Sequence, residues 1–467
     1  MQTPISILNG IYASGESDFR TQYPLNLRPI AKESGISRGY LRPASGIIAS
    51  GDIGPGISYA GINWRGAVYR VMGTSFVRID EDGSVTTLGE VSGQGGNSTL
   101  DYSFDLMGVT SGGDFWLYDP DAPSFIRLSL EDVIIDHIWV DGYFMLTDGE
   151  FVLVTELNDP YTVSTLKYGS AEADPDPIQA ILKLRNEPYV LNRYTTEVFN
   201  NIGGSGFPFQ RIEGAQIQRG AVGTHACCVY LENIAFVGGG RNEPASVWVA
   251  SGGSSVKIAS REIDLILADY SEDTLSGIRV ETAHERGHEY LYIHLPDQTL
   301  VYDATMSTIA GEAAWFRLSS STTGSGVYRG RNPVWCYDKW WVGDASSGLH
   351  GYLTDEVSSH WGESVRWEFN TPIIYNESNG AIIHEIELLG LFGRGEQSQI
   401  TTQYSLDGET WSMPKSISLG ALGNRNGRAV WLSQGALRNW RIQKFHGTSG
   451  GHFSFARLMA RIEPLAV

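Results

Sequence analysis

Apolar and polar residues alternate along most of this chain, and a 3.6-residue helical period is nearly absent. Residues 67–79, AVYRVMGTSFVRI, alternate around Gly73, and Asp82-Gly83 then turns the chain into the run SVTTL at 84–88. An Asp-Gly pair between alternating runs signals a hairpin, because both turn positions need positive φ. Asp-Gly recurs at 141–142, 148–149 and 407–408, and Asn-Gly at 9–10, 379–380 and 426–427. This punctuation predicts an all-β chain. Strand-turn-strand units begin near Ala67, Phe115, Tyr143, Tyr189, Val229, Tyr290 and Val334, and three runs end in Tyr-Asp: FWLYD at 115–119, TLVYD at 299–303 and VWCYD at 334–338. An Asp there can bond the backbone of a following turn. Weak repeats of about 40 to 50 residues read as propeller blades, with a large sandwich or multi-sheet β domain as the alternative. One segment departs from alternation. Residues 260–272, SREIDLILADYSE, place Ser260 as N-cap before Ile263, Ile266, Leu267 and Tyr270 at helical spacing, which predicts a short helix crossing between sheets.

A domain boundary is expected near 357–365, VSSHWGESV. Beyond it six alternating strands follow within about 100 residues, a sandwich-like density. The expected fold is all-β: a large irregular β-propeller-like domain followed by a smaller β-sandwich-like C-terminal domain. The division is residues 1–60 as an N-terminal arm and start of the β domain, 61–360 as the propeller-like domain, and 361–467 as the sandwich-like domain.

Composition sharpens this picture in two respects. The 467 residues are 42% hydrophobic and 11% aromatic, enough for a sizeable core, and they carry a net charge of −19. That charge argues against a general nucleic-acid binder held by a basic face, though not against a protein that DNA merely passes. The acidity is uneven. Residues 363–467 hold 10 Lys and Arg against 9 Asp and Glu, while the first 362 residues hold 24 against 44. Within 410–462 there are eight basic residues and no acidic one. Six of them, Lys415, Arg425, Arg428, Arg438, Arg441 and Lys444, are the candidate interface toward something acidic; solvated strand faces are the plainer alternative. The three cysteines form no Cys-x-x-Cys and read as ordinary thiols of a reducing compartment, and no apolar run approaches the ~18 residues of a membrane helix.

Motifs with chemical associations all fall where that chemistry fails. His284-Glu285-Arg286-Gly287-His288 matches H-E-x-x-H, which binds zinc only on a helix; here alternating runs flank it and Gly287 interrupts it, so it predicts a hairpin loop. Gly447-Thr448-Ser449-Gly450-Gly451 matches G-x-S-x-G, but the following HFSFAR alternates as a strand where a nucleophile elbow needs a helix. Gly238-Gly239-Gly240 and Gly93-Gln94-Gly95-Gly96 complete no phosphate loop, and Asp80-Glu81-Asp82-Gly83 lacks the remaining ligands of a calcium loop. Asp174 and Asp176 lie in EADPDPIQ, expected as an exposed linker. No catalytic, cofactor or metal site is expected, since nothing assembles a nucleophile, a base and an oxyanion site.

Several segments, in order, resemble the packaged-DNA stabilization or tail hub (nozzle) proteins of short-tailed phages. They are DFRTQYPLNLRPI at 18–30 with GYLRPASGI at 39–47, AVYRVMG at 67–73, TTEVFNNIGGSG at 195–206 with QIQRGAVGTHA at 216–226, and ASREIDLILADYSEDTLSGIRVETA continuing through GHEYLYIHLPDQTLVYDA to 304. GVYRG at 326–330 and the NWRIQKF strand follow. The resemblance implies a non-enzymatic protein of the virion tail, assembled in the host cytoplasm. It implies a ring, six-fold in the family, below the portal and its adaptor, that retains packaged DNA and provides its exit channel. Implied partners are other copies of the chain, the portal adaptor, tailspikes or fibres, a needle or plug, and the passing DNA, with no cofactor and no membrane span. The basic stretch would then meet a neighbouring copy's acidic domain, another tail protein or the exiting DNA. Two alternatives remain: a host-receptor or carbohydrate-binding accessory using Trp340-Trp341 or Trp361 with Trp367, and a propeller enzyme such as a glycosidase, which needs paired carboxylates in a pocket.

Overall fold

In a computed structural model, described for residues 2–8, 10–15, 18–32, 39–91, 96, 98–171, 174–377, 379–394, 399–418 and 422–465, the alternating runs quoted above form strands, with 67–79 making two, Ala67–Met72 and Ser75–Ile79. Asn9 and Gly93-Gln94-Gly95 lie outside the described residues. The chain divides into two compact units. One comprises Ala49–Pro296 with Arg329–Tyr352; the other comprises Met1–Ile48, Asp297–Tyr328 and Leu353–Val467.

The first unit is a propeller. Its sheets are antiparallel meanders, beginning with Ser58–Trp64, Ala67–Met72, Ser75–Ile79 and Val85–Glu90. Among the described residues, first strands start at Ser58, Ser98, Asp136, Ile178, Cys227, Arg279 and Gly330. Each packs beside the next, and Gly330–Cys336 returns to Ser58–Trp64, so seven blades close a circle. Alternation inside a blade serves two neighbours at once. In 67–79, Val68, Met72, Val77 and Ile79 pack toward Val334 and Trp341 of the seventh blade. Tyr69, Val71 and Phe76 pack toward Trp116 and Tyr118 of the second. Both faces are covered, so such strands are apolar at both parities.

Six of the seven first hairpins turn on two residues with positive φ: Arg65-Gly66, Asp141-Gly142, Arg185-Asn186, Leu231-Glu232, Arg286-Gly287 and Tyr337-Asp338. These are the turns whose twist suits a hairpin. Leu231 (φ 49°) and Glu232 (φ 54°) hold it without a Gly or Asn. An L-residue there costs about 1–2 kcal/mol. Glu232→Gly should therefore raise the denaturation midpoint by the equivalent of about 1 kcal/mol; an unchanged or lowered midpoint in urea titration would show that the turn is not strained.

The expected helix is present as Arg261–Ala268. The Ser260 side chain accepts from the Ile263 N–H, and Ile263 and Leu267 are buried. A second short helix, Glu272–Ser276, follows with Ser271 as its cap. The three Tyr-Asp runs are not equivalent. Asp119 ends a third strand and accepts from the Asp121 and Ala122 N–H groups, as expected of a turn. Asp303 caps an unexpected helix, Ala304–Ala310. Tyr337-Asp338 is itself a hairpin turn.

The second unit is a sandwich. One sheet contains Gln2–Ile5, Leu27–Ala31, Gly39–Pro43, Ala381–Arg394, Ala429–Leu432, Ala436–Leu437 and His452–Pro464. The other contains Val365–Asn370, Ile374–Tyr375, Gln399–Ser405, Lys415–Ser418 and Trp440–Ser449. Leu27, Leu41, Ile386 and Phe455 meet Trp367, Phe369, Ile400 and Phe445 in one core. Strands placed by sequence in an N-terminal arm thus complete a sheet with the last strands of the chain. Polar ties hold the three segments of this unit together. Buried Asn26 donates to the Ser319 and Arg366 carbonyls (2.8 and 2.6 Å), and Asp355 receives Arg28 (2.7 Å), Arg42 (3.0 Å) and Ser45 (2.8 Å).

Candidate functional site

The H-E-x-x-H residues straddle the hairpin Arg279–Glu285 and His288–His294. His284 opposes Glu289 and Glu285 opposes His288, so the two histidines project from opposite faces of the sheet and share no metal position. His284 bonds Glu289, and His288 stacks on Tyr290 with ring centroids 5.8 Å apart. Of the G-x-S-x-G residues, Gly447-Thr448-Ser449 end the strand Trp440–Ser449 and Gly450-Gly451 turn the chain into His452–Pro464. Asp80-Glu81-Asp82-Gly83 is likewise a hairpin turn, with Asp80 held by Arg78 at 3.0 Å. Asp174 pairs with Arg241 (2.7 Å), and the Asp176 carboxylate accepts from the Tyr194 N–H (2.5 Å). Among the described residues, no group of three His, Cys, Asp or Glu side chains is placed to hold a metal ion. Of the tryptophans weighed for sugar binding, Trp341 and Trp367 are buried and Trp340 is half-buried. The half-exposed Trp335, not singled out by sequence, is the cross-strand partner of Trp340.

Charged groups that the sequence did not flag sit between the innermost strands of the propeller. Glu281, on the sixth first strand, accepts from the Asn332 backbone N–H and side-chain amide on the seventh, both at 3.0 Å, and from His294 Nε2 at 3.1 Å. The Asn332 side-chain oxygen accepts from Ser58 on the first blade at 2.9 Å, and Ser58 accepts from buried Arg70 at 3.1 Å. Burial opposes the Glu281 charge, but the His294 hydrogen bond and the charges of Arg279 and Arg331 outweigh it and hold the carboxyl at about 2. Burial, then Arg331, pushes His294 down to about 4, so it donates as a neutral ring. Asp136, on the third first strand, accepts from Thr99 Oγ1 of the second blade (2.7 Å) and the Ile181 N–H of the fourth (2.9 Å); burial pushes its carboxyl up to about 7. These side chains staple blade to blade. An alternating pattern gives no signal for them beyond a polar letter at a core position.

The hairpin tips carry a second circle of links. Arg65 reaches Asp121 (3.4 Å) and the Phe104 carbonyl (3.1 Å), Asp141 receives Asn186, and Arg185 pairs with Glu232 (2.9 Å). Tyr230 donates to the Glu289 carbonyl (2.8 Å), Trp340 to that of His284, and Asn63 to that of Trp335 (2.7 Å). Apolar side chains stand exposed on this rim, led by Phe104 at 90%. The propeller unit holds 18 Lys and Arg against 36 Asp and Glu, a net −18, whereas the sandwich unit holds 16 against 17.

The six candidate interface residues do not form one face. Arg441 is fully buried: it bonds Gln443 Oε1 and the Gln434 carbonyl (2.6 Å) and lies 3.9 Å over the Tyr404 ring, and burial lowers its pKa to about 10. Lys444 is half-buried, 3.7 Å over the Trp411 ring and 4.0 Å from Glu368. Arg428 is exposed but already paired with Glu387 at 2.7 and 2.9 Å. Lys415, Arg425 and Arg438 are exposed, with Lys415 Nζ donating to the Ser433 carbonyl at 2.7 Å. A run of like charge in sequence is divided between core and surface: Arg441 is buried within the strand Trp440–Ser449, whereas Arg425, Arg428 and Arg438 lie exposed outside the strands.

A seven-bladed circle and a two-sheet sandwich in one polypeptide define a propeller–sandwich protein. The chain matches the family described as bacteriophage P22 Gp10, β-propeller, over residues 1–358, and its β-sandwich counterpart over residues 366–463. It belongs to the phage P22 Gp10 family. Tail hub protein gp10 of Salmonella phage P22 is 25% identical over 446 residues, which span 90% of this chain and 91% of that protein. Among solved structures, the N-terminal domain of Nup159 aligns at a TM-score of 0.40 and 8% identity, covering 70% of this chain and 98% of that one. Kluyveromyces lactis Hsv2 aligns at 0.39 and 8%, covering 72% and 95%.

Proposed function

We propose that this protein is a structural hub of a short-tailed phage tail. It forms a ring below the portal and adaptor, retains the packaged genome, surrounds its exit path, and anchors spikes or fibres and a needle. The carrying observation is the family match over both domains, supported by the name of the P22 relative. A net charge of −18 on the propeller unit suits a protein that DNA passes without adhering, since like charge repels the phosphates. The role requires no catalysis, and both enzyme-like motifs span β-hairpins, with only Arg286-Gly287 and Gly450-Gly451 in the turns. The ring is six-fold, as the family resemblance implies. Purified particles test the placement: the protein is expected to co-purify with portal and adaptor in stoichiometric amount and to remain with tails detached from heads. Its absence from the tail fraction would reject the role.

A further inference from the structure

The outer strands of the third and fourth blades leave an open cleft of about 460 Å³ between them. Ser170 ends the fourth strand of the third blade, Asp159–Ser170, while Phe199 and Arg211 belong to the third and fourth strands of the next, Thr196–Asn201 and Phe209–Arg211. Third and fourth strands are the outermost of a blade, so the cleft lies toward the circumference of the propeller and away from its innermost strands. Strand pairing decides what faces it. Phe199 lies opposite Arg211, and the Ile212 N–H carries the ladder on to the Val198 carbonyl at 2.8 Å. With a period of two, Glu197, Phe199, Phe209, Arg211 and Glu213 share one face, and Val198 and Ile212 take the other, packed toward the fifth blade. Phe199 and Phe209 join the core of the third blade, which leaves the charged members of that face along the cleft. The opposing wall is the Phe207 ring. It sits where Gly169 has no side chain, since a Cβ at Gly169 would come within 2.4 Å of the ring.

Three ionisable side chains line the cleft. Glu197 is fully buried at its floor, Arg211 Nη1 lies 3.5 Å from the Glu197 carboxylate, and Glu213 is exposed. Arg211 and Glu197 offset one another, so Glu213 leaves the lining at a net −1. The volume falls in the range of organic-ligand pockets, about 300–1,000 Å³, and is too large for a bare ion. A planar cation on an organic stem suits both features, because a guanidinium can bond a carboxylate through two N–H groups and lay its flat face on an aromatic ring.

We propose that the cleft between blades three and four binds a guanidinium group, borne by a small molecule or by an arginine of another protein. Glu213 accepts from the guanidinium N–H groups, the Phe207 ring takes its flat face, and Ser170 and Gln210 at the margin supply neutral acceptors. The Glu197 carboxylate beneath offsets Arg211, which lets a second guanidinium approach without net repulsion. The site goes beyond the hub reading and does not depend on it.

The test is calorimetric titration of the full-length protein with argininamide, with lysinamide, and with citrullinamide, which keeps the shape of argininamide without its charge. One argininamide is expected per chain, bound about tenfold or more tightly than citrullinamide, the worth of one charge-assisted hydrogen bond. Lysinamide is expected to bind more weakly than argininamide, since its compact ammonium does not stack. Glu213→Gln and Phe207→Ala should each weaken argininamide severalfold. Glu90→Gln makes the same change of charge at an exposed position on the first blade and should leave binding unchanged. Circular dichroism with thermal melts checks that each variant folds, and Glu213 is exposed, so its substitution tests the site even if Phe207→Ala unfolds. The peptide acetyl-Gly-Gly-Arg-Gly-Gly-amide separates the two sources. If it binds as tightly as argininamide, the guanidinium comes from another protein; if it is excluded while argininamide binds, the ligand is a small molecule. No binding of argininamide, equal binding of citrullinamide or lysinamide, or unchanged binding in Glu213→Gln overturns the site. None of these results bears on the placement of the protein in the tail, which the co-purification above tests separately.

Discussion

Particles assembled without this protein are expected to package DNA and then lose it. The expectation follows from the proposed placement below the portal and from a propeller unit that holds twice as many acidic as basic groups. Such a surface has no electrostatic grip on phosphates, so retention must come from blocking the exit rather than from binding the strand. Retention should therefore be all-or-none per particle. A partly filled ring leaves a gap, and purified protein added back should rescue only particles that have not yet emptied. DNA content per particle, followed over hours after packaging with and without added protein, measures this. Deficient particles that keep their genomes and fail only to adsorb to cells would make the protein a receptor-binding accessory.

The largest stability effect is expected at Glu281. Glu281→Ala removes the acceptor for both Asn332 donors and for His294, and leaves Arg279, Arg331 and Arg70 without their shared counter-charge. Removing one member of a buried ionic group typically costs about 3–5 kcal/mol, a third or more of the roughly 5–15 kcal/mol that holds most domains folded. Glu281→Gln keeps the shape and one acceptor and should cost less. The acid limb has a defined sign. A carboxyl held at about 2 against an ordinary 4.5 contributes stability that is complete above about 4.5 and is lost as pH falls toward 2. Asp136 acts in the opposite sense. Raised to about 7 from 3.8, it favours the fold most below about 3.8, and that contribution fades as pH rises through 7. Urea titrations at pH 3, 5 and 8 separate the two. A Glu281→Ala loss under about 1 kcal/mol at pH 5 would mean that the network is not what closes the circle.

The sequence carried the strands but not their phase. Seven strand-turn-strand starts were legible, one in each blade, yet Ala67, Tyr143, Tyr189 and Tyr290 fall in second strands, Phe115 in a third, and Val229 and Val334 in first strands. That slippage made a regular circle look irregular. It arises because blades covered on both faces are apolar at both parities, so no strand within a blade is marked as innermost. The helix after Ser260 was legible because capping and a 3.6 period are local signals. Pairing of Gln2–Ile5 with His452–Pro464 was not, since register between distant strands leaves no trace in either strand alone. The candidate interface shows the same limit. Arg438 and Arg441 are three residues apart, but one is exposed and the other fully buried beneath Tyr404. Charge can be counted from letters, whereas its place in the core or at the surface requires the fold.

The pairing of Ile5 with Leu458 also sets a clock on biosynthesis. About 450 residues separate the two, so at 5–20 residues per second the first strand waits roughly 25–90 s on the ribosome for its partner. During that wait the propeller unit, whose innermost strands all lie between Ser58 and Cys336, has its own sequence in hand and can close first. Gln2–Ile5 meanwhile lacks its partner, and Gly39–Pro43, paired with Leu27–Ala31 on one side, keeps its other edge open to the wrong nascent polypeptide. A product released before His452 would carry a finished wheel and an unfinishable sheet. Quality control on this protein thus falls at its last strand, and an early stop codon should yield aggregates rather than a soluble fragment.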